Sequence, residues 1–330
     1  MIAKSRFTVV TSHYNPDGDA IGSVLAMAAL LNKSGNKAVA IVPSDFPSFL
    51  KWMPGAENII IYCDNDQLAD QAIASADLIF CVDYNALHRT ERMEEILRRS
   101  AAKKILIDHH PEPALTDFDL YYSVIETSST SELIYRFTED CGLIELLDNE
   151  IATGLFVGIM TDTGSFSFSC NHADTFRIAA ELIKTGLDAE QIHRYVYDTY
   201  SENRLRLLGY CLSEKLTILP DYATGYIALT LAELDRFGHK TGDTEGIVNY
   251  ALSIDKIKMA VLITERKDRI RLSFRSKGNL SVNRFAREFF SGGGHKNAAG
   301  GDSFCSVDDT VLKLKAALAQ YKGEIDRSTY

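Results

Sequence analysis

No two of the six cysteines, at positions 63, 81, 141, 170, 211 and 305, fall in a CxxC spacing. That excludes zinc knuckles and dithiol redox motifs. Thiols scattered without pattern are expected to be small buried hydrophobes in a reducing compartment. Apolar runs are short as well. The longest, residues 24–31, falls far short of the roughly 20 residues that a membrane-spanning helix requires. The opening MIAKSRFTVV leads straight into a strand-like stretch and holds no apolar signal core. A soluble, cytoplasmic protein with no membrane association is expected. Positive charge is also scarce: 35 Lys and Arg stand against 45 Asp and Glu, a net charge of −10. Affinity for long nucleic acid comes from displaced counterions, so this balance argues against a general binder of long strands. The basic stretch is 265–296, with nine Lys or Arg and three Asp or Glu. By charge alone it reads as the solvated face of a strand pair and helix.

What is present is enough for two globular domains: 330 residues, 46% hydrophobic and 24% charged. Strand patterns at 7–12, 38–43, 77–83 and 103–108 alternate with helix patterns at 20–33, 89–101, 129–141 and 149–160. Such alternation predicts a mostly parallel sheet covered by helices. Residues 172–184, 189–197 and 202–216 read as helices, and Pro220-Asp221 breaks the pattern. A smaller α/β unit follows. Its strands are expected at 224–231, 258–265 and 269–275, with helices at 281–290 and 307–321. The expected domains are 1–190 and 221–330, joined by a helical linker over 191–220.

The chemistry gathers in the first half. HYNPDGDA places His13, Asp17 and Asp19 between a strand and a helix. Capping of that helix is a sufficient reason for the two acids taken alone. However, Asp83 ends LIFCVD, Asp108-His109-His110 ends KKILIDHH, and Asp162 ends LFVGIMTD. Three of these four clusters fall at strand ends that could share one rim, and charged residues grouped at a cleft need neutralisation, which divalent cations supply. Carboxylate and imidazole ligands without thiolate suit Mn²⁺ or Mg²⁺ before Zn²⁺. Two such ions roughly 3.5–4 Å apart activate a water and clamp a phosphoryl oxygen. Asp83 is the candidate for the carboxylate they share. His109 and His110 diverge as neighbours at a strand end, so that one can bind metal while the other faces substrate.

At these residues the chain resembles the DHH/DHHA1 phosphoesterase superfamily. HYNPDGDAIGS, the Val82-Asp83 pair, the Asp108–His110 triplet and TDTGSF look like its four N-terminal motifs, and GGGHKNAAGG (292–301) like its C-terminal one. The resemblance implies an active site in the inter-domain cleft. It implies that His13 and Asp17 bind one metal, that Asp19, His109 and Asp162 bind the other, and that Asp83 bridges them. Asp108 would orient a histidine, and His110 would contact the phosphate or assist the leaving group. Arg275 in FRSKG, with Gly293, Gly294 and His295, would hold the substrate's phosphate. Glycines free backbone N–H groups to approach an anion, and a helix starting near Lys296 would add its positive end.

Within the superfamily, the compact size and the GGGH motif are similar to the NrnA-type oligoribonucleases and pAp phosphatases. The implied function is hydrolysis of RNAs of a few nucleotides to nucleoside monophosphates, with two Mn²⁺ or Mg²⁺ ions, and dephosphorylation of pAp to AMP. Cyclic-di-AMP or pApA hydrolysis is the alternative. A silent nucleotide sensor would need a broken ligand set, and none of these ligand residues is replaced. Short single-stranded RNA or nucleotide phosphates are the expected partners, and a homodimer stays open. Tyr14 and Phe166 lie close to the motifs and are the guesses for a base-stacking aromatic.

Overall fold

The computed structural model describes residues 2, 5–240 and 242–329, and the chain divides into two units, 1–199 and 200–330. In the first unit the elements are β1 (Thr8–Thr11), α1 (Gly18–Lys33), β2 (Ala38–Val42), β3 (Ile60–Ile61), α2 (Asp66–Ser75), β4 (Leu78–Val82), α3 (Glu94–Arg99), β5 (Lys103–Asp108), β6 (Leu120–Ser123), α4 (Thr130–Asp140), α5 (Asn149–Asp162), α6 (Ala173–Ile183) and α7 (Ala189–Tyr197). The strands pair in parallel, in the order β3-β2-β1-β4-β5-β6. Strands buried on both faces carry near-continuous apolar runs, and the pleat sorts each run. Val10, Phe80, Val82, Ile105 and Ile107 join the core formed with α1, α4 and α5. Val9, Ile79, Cys81 and Leu106 join α2 and α3 on the other face. From β1 and β4 the chain winds outward in opposite directions. In open α/β sheets the crevice at such a reversal, beyond the carboxyl ends of the strands, is where ligands sit.

Helix α1 packs against α5 backbone to backbone. A Cβ on Gly22 would lie 2.3 Å from the Gly154 carbonyl oxygen, so glycine is required at this crossing. The close approach lets α1 be buried from Gly18 to Leu31 almost without interruption, and it fixes the position of the helix that begins at the acidic loop.

The second unit contains α8 (Glu202–Tyr210), β7 (Leu216–Leu219), β8 (Thr224–Leu229), α9 (Leu231–Arg236), α10 (Ile247–Leu252), β9 (Met259–Glu265), β10 (Ile270–Ser276), α11 (Val282–Phe290), β11 (Gly293–Gly294), β12 (Ala298–Ser303) and α12 (Val307–Arg327). Its sheet order is β11-β12-β10-β9-β8-β7, with β8 and β9 parallel and the other neighbours antiparallel. Strand β10, expected at 269–275, alternates between buried and more exposed residues. Ile270, Leu272 and Phe274 are buried with α11 and α12, while Arg271 is exposed and Ser273 and Arg275 are half-buried. The basic stretch runs from the end of β9 through β10 and α11 to the turn between β11 and β12. Arg271 on β10 and Arg269 just before it share Asp302 at 3.2 and 3.7 Å.

Several expectations are corrected. Residues 89–101 are not one helix: a 3₁₀ turn over Leu87–Met93 breaks at Glu91 (φ 46°) before α3. That break leaves the Arg89 carbonyl to accept from the Tyr14 N–H at 2.8 Å. The helix expected over 202–216 ends at Tyr210 in a π-turn, and Leu216 opens β7. No helix starts near Lys296, because His295 and Ala298 exchange backbone hydrogen bonds in the turn between β11 and β12. Nor are the thiols uniformly buried. Cys81 and Cys211 are, but Cys63, Cys141 and Cys305 are exposed. Among the described residues no helix is long and apolar enough to cross a membrane.

Candidate active site

Beyond β1 the chain turns at Asn15, whose φ is 54°, and enters α1. Asp17 is the N-cap: its Oδ1 accepts from the N–H groups of Asp19 and Ala20, both at 3.1 Å. Capping therefore accounts for one of its oxygens, and a carboxylate has two. Asp19 is buried and turned across to α4. Its Oδ2 accepts from the Thr130 N–H at 2.7 Å and its Oδ1 from the Ser131 N–H at 2.9 Å. The first N–H groups of a helix have no partner within it and favour an anion.

Asp83 follows β4 in a left-handed conformation, φ 64°. Its N–H still bonds the Ile107 carbonyl of β5 at 3.1 Å, and its Oδ1 accepts from the Thr130 hydroxyl at 2.9 Å. Asp tolerates positive φ better than most residues, and held conformations of this kind gather at functional sites. His13 Nε2 lies 3.5 Å from Asp83 Oδ2. His109 Nε2 lies 3.3 Å from Asp162 Oδ2, 3.5 Å from Asp83 Oδ1 and 3.9 Å from Asp19 Oδ2. His110 turns away from His109, the two rings being 77° apart, and its Nδ1 is 2.7 Å from Asp108 Oδ1.

Among the described residues of this unit, three sets bring ligand atoms within 4.8 Å of one another: His13, Asp17 and Asp83; Asp19, Asp83 and His109; Asp83, Asp108 and His110. Asp83 belongs to all three. The donors are oxygen and nitrogen, which fits a hard or borderline divalent cation.

The electrostatics point the same way. Burial, with the nearby charges of Asp19, Asp17, Asp162 and Asp108, pushes the Asp83 carboxyl well above the usual carboxylate range. Burial likewise lifts Asp19 to about 6, against the hydrogen bonds from Ser131. Burial lowers His13 and takes His110 well below the ordinary imidazole value, Arg89 and His13 adding to the effect. Both shifts favour the neutral rings of His13 and His110, with a lone pair to offer.

A divalent cation answers the carboxylate repulsion, and this fixes a pH dependence. In the metal-free folded state the raised carboxyls hold protons that the unfolded chain has already released. Stability is therefore lost as pH rises from about 4 through about 6. Mn²⁺ should raise the thermal midpoint by roughly 5 °C more at pH 7.5 than at pH 5. Equal rises at both pH values in a thermal scan would remove these carboxylates from the ligand set.

In the second unit, Arg275 stands on β10 opposite Ala298, and His295 closes the turn onto that same residue. The two expected substrate residues are thus brought to one end of the sheet. Gly293 and Gly294 form β11. A Cβ on Gly294 (φ 142°) would lie 2.6 Å from the Ala298 carbonyl oxygen, so these glycines permit a backbone hairpin. The helix dipole expected there is absent. Tyr14 is half-buried, and Phe166 packs between Phe156 and Phe176 with centroids 6.2 and 5.6 Å away. Thr130 and Ser131, at the start of α4, hold Asp19, and Thr130 also holds Asp83. Thr127 to Glu132 read TSSTSE, a serine-threonine start with a glutamate three residues on, which marks a helix N-terminus.

The comparisons with known proteins follow the same division. Residues 8–159 match the model of the DHH family, N-terminal domain, and residues 223–321 that of the DHHA1 domain. The bifunctional oligoribonuclease and PAP phosphatase NrnA of Bacillus subtilis is 27% identical over 318 residues, 95% of each chain. The cyclic-di-AMP phosphodiesterase PdeA of Listeria monocytogenes is 28% identical over 98% of this chain but 49% of its own length. The crystal structure of an exopolyphosphatase-related protein from Bacteroides fragilis superposes with a TM-score of 0.93 at 40% identity, covering 99% of this chain and 95% of that one. The chain belongs to the DHH/DHHA1 phosphoesterase family.

Proposed function

We propose that the protein is a cytoplasmic hydrolase of short single-stranded oligoribonucleotides, releasing nucleoside monophosphates, and that it also removes the 3′-phosphate of pAp. The observation that carries the reading is Asp83, shared by the three metal-capable sets found among the described residues of the first unit. Likeness to NrnA over 95% of both chains supports the substrate class. When bound, two divalent cations, Mn²⁺ before Mg²⁺, supply Lewis acidity towards water and phosphoryl oxygen. His13 and Asp17 hold one, Asp19, His109 and Asp162 hold the other, and Asp83 serves both. Arg275, Gly293, Gly294 and His295 hold the substrate's phosphate.

His110 manages the proton. Asp108 beside Nδ1 favours the tautomer with hydrogen there, which leaves Nε2 as the acceptor. An anionic phosphate next to the ring raises its proton affinity, so the protonated ring can then give that proton to the leaving oxygen. His110→Ala should therefore lower kcat by about 10²–10⁴-fold with Mn²⁺ affinity nearly unchanged. A matching loss of Mn²⁺ affinity would make His110 a ligand instead.

The deciding assay is Mn²⁺-dependent hydrolysis of an RNA dinucleotide, a five-mer, a long RNA, pAp and cyclic-di-AMP in parallel. Rapid loss of the dinucleotide and five-mer with the long RNA spared is expected. Cleavage of cyclic-di-AMP alone would replace the reading with the activity named for the Listeria relative.

A further inference from the structure

We infer that Glu132, outside the ligand sets, is a positioning residue that sets the geometry of Asp19 and Asp83 through the N-terminus of α4. The inference rests on the reading of those two aspartates as metal ligands. Glu132 is completely buried. Its Oε2 accepts from the Ser128 N–H at 3.3 Å, the Ser128 hydroxyl at 2.6 Å and the Thr175 hydroxyl at 2.8 Å, and its Oε1 accepts from Arg136. Its own N–H donates to the Ser129 hydroxyl at 3.0 Å.

A glutamate at the third helical position ordinarily reaches back to the N-cap N–H. Here it reaches one residue further, to Ser128, and sideways to Thr175 on α6. The turn over 128–132 is thus held from inside and from a second helix. The groups of that turn are the ones that hold the site. Thr130 and Ser131 bond the two oxygens of Asp19, and the Thr130 hydroxyl bonds Asp83. The Ser131 hydroxyl also meets the Ser23 hydroxyl of α1 at 2.9 Å. A rotation of the first turn of α4 would move both aspartates together. A buried carboxylate is tolerated only when its acceptor sites are filled, and these partners fill them by fixing the turn. Partners behind metal ligands typically govern metal affinity by 10–100-fold.

The test is Glu132→Gln, which keeps shape and burial but weakens the acceptor. Mn²⁺ binding is read without substrate, from the paramagnetic resonance signal of free Mn²⁺, well below the melting midpoint. The dissociation constant should rise about tenfold or more with an unchanged far-ultraviolet circular dichroism spectrum. Saturating Mn²⁺ should restore most of kcat. An unchanged dissociation constant in the folded variant, even with a lower midpoint, would reduce Glu132 to a tie between helices and overturn the inference. If Glu132→Gln does not fold, Thr175→Val removes one donor and is judged by the same measurement. Failure of the unsubstituted protein to bind Mn²⁺ would instead overturn the metal reading, and this inference with it.

Discussion

Asp83→Asn should reduce kcat/KM by at least about a thousandfold, roughly 4 kcal/mol of transition-state stabilisation, while raising the melting midpoint of the metal-free protein. Both effects have one origin. Asp83 is the acid common to the three metal-capable sets, so its loss removes the shared oxygen donor. It is also crowded by Asp19, Asp17, Asp162 and Asp108, and its neutral replacement relieves that repulsion. Asparagine is the instructive substitution. It tolerates the left-handed backbone at φ 64°, and its amide oxygen can still accept from Thr130. Alanine would add about 1–2 kcal/mol of backbone strain at such a position and blur the stability result. Activity with Mn²⁺ and a thermal scan with chelator measure the two arms. Near-normal turnover would mean that Asp83 is not the shared ligand.

The second large effect is structural. Gly22→Ala should lower the melting midpoint by roughly 6–12 °C, corresponding to about 3 kcal/mol. Its Cβ would meet a backbone carbonyl at 2.3 Å, and a backbone atom has no alternative rotamer. Helices α1 and α5 must separate. Since α1 begins at Asp17 and Asp19 and α5 ends at Asp162, separation also pulls the proposed ligands apart, and Mn²⁺ affinity should fall with stability. Gly209→Ala on α8 is the control. Nothing lies within 4 Å of its Cβ, and alanine favours helix over glycine by about 1 kcal/mol. Equal midpoints for Gly22→Ala and the unsubstituted protein would refute the close crossing.

The parallel core was legible because strands buried on both faces, such as 78–82 and 103–108, announce themselves as apolar runs ending in acids. The acidic loop was legible because Pro16 and Gly18 punctuate it. Short edge strands were not. Ile60–Ile61 and Gly293–Gly294 are two residues each, too short for any period, and the second consists of glycines that give no strand signal. The Glu91 break was hidden inside a good helical pattern because tertiary contact with Tyr14 decides it. The partnership of Asp19 with Thr130 was also out of reach. The capping signal in TSSTSE announces a helix start, but not which acid, 111 residues away, the start will receive.

That separation has a consequence for synthesis. Asp19 leaves the ribosome early, yet its bonding partners Thr130 and Ser131 and the neighbouring His109 and Asp162 come much later. No short local segment holds a complete ligand set, and the parallel ladders can close only through crossover helices. With the proposed ligands, full metal capture would follow emergence of α5 on the nascent chain. On the proposed ligand set, a ribosome-stalled or truncated chain ending before Asp162 would lack a ligand of the second metal, so a full complement of bound metal would report folding through α5.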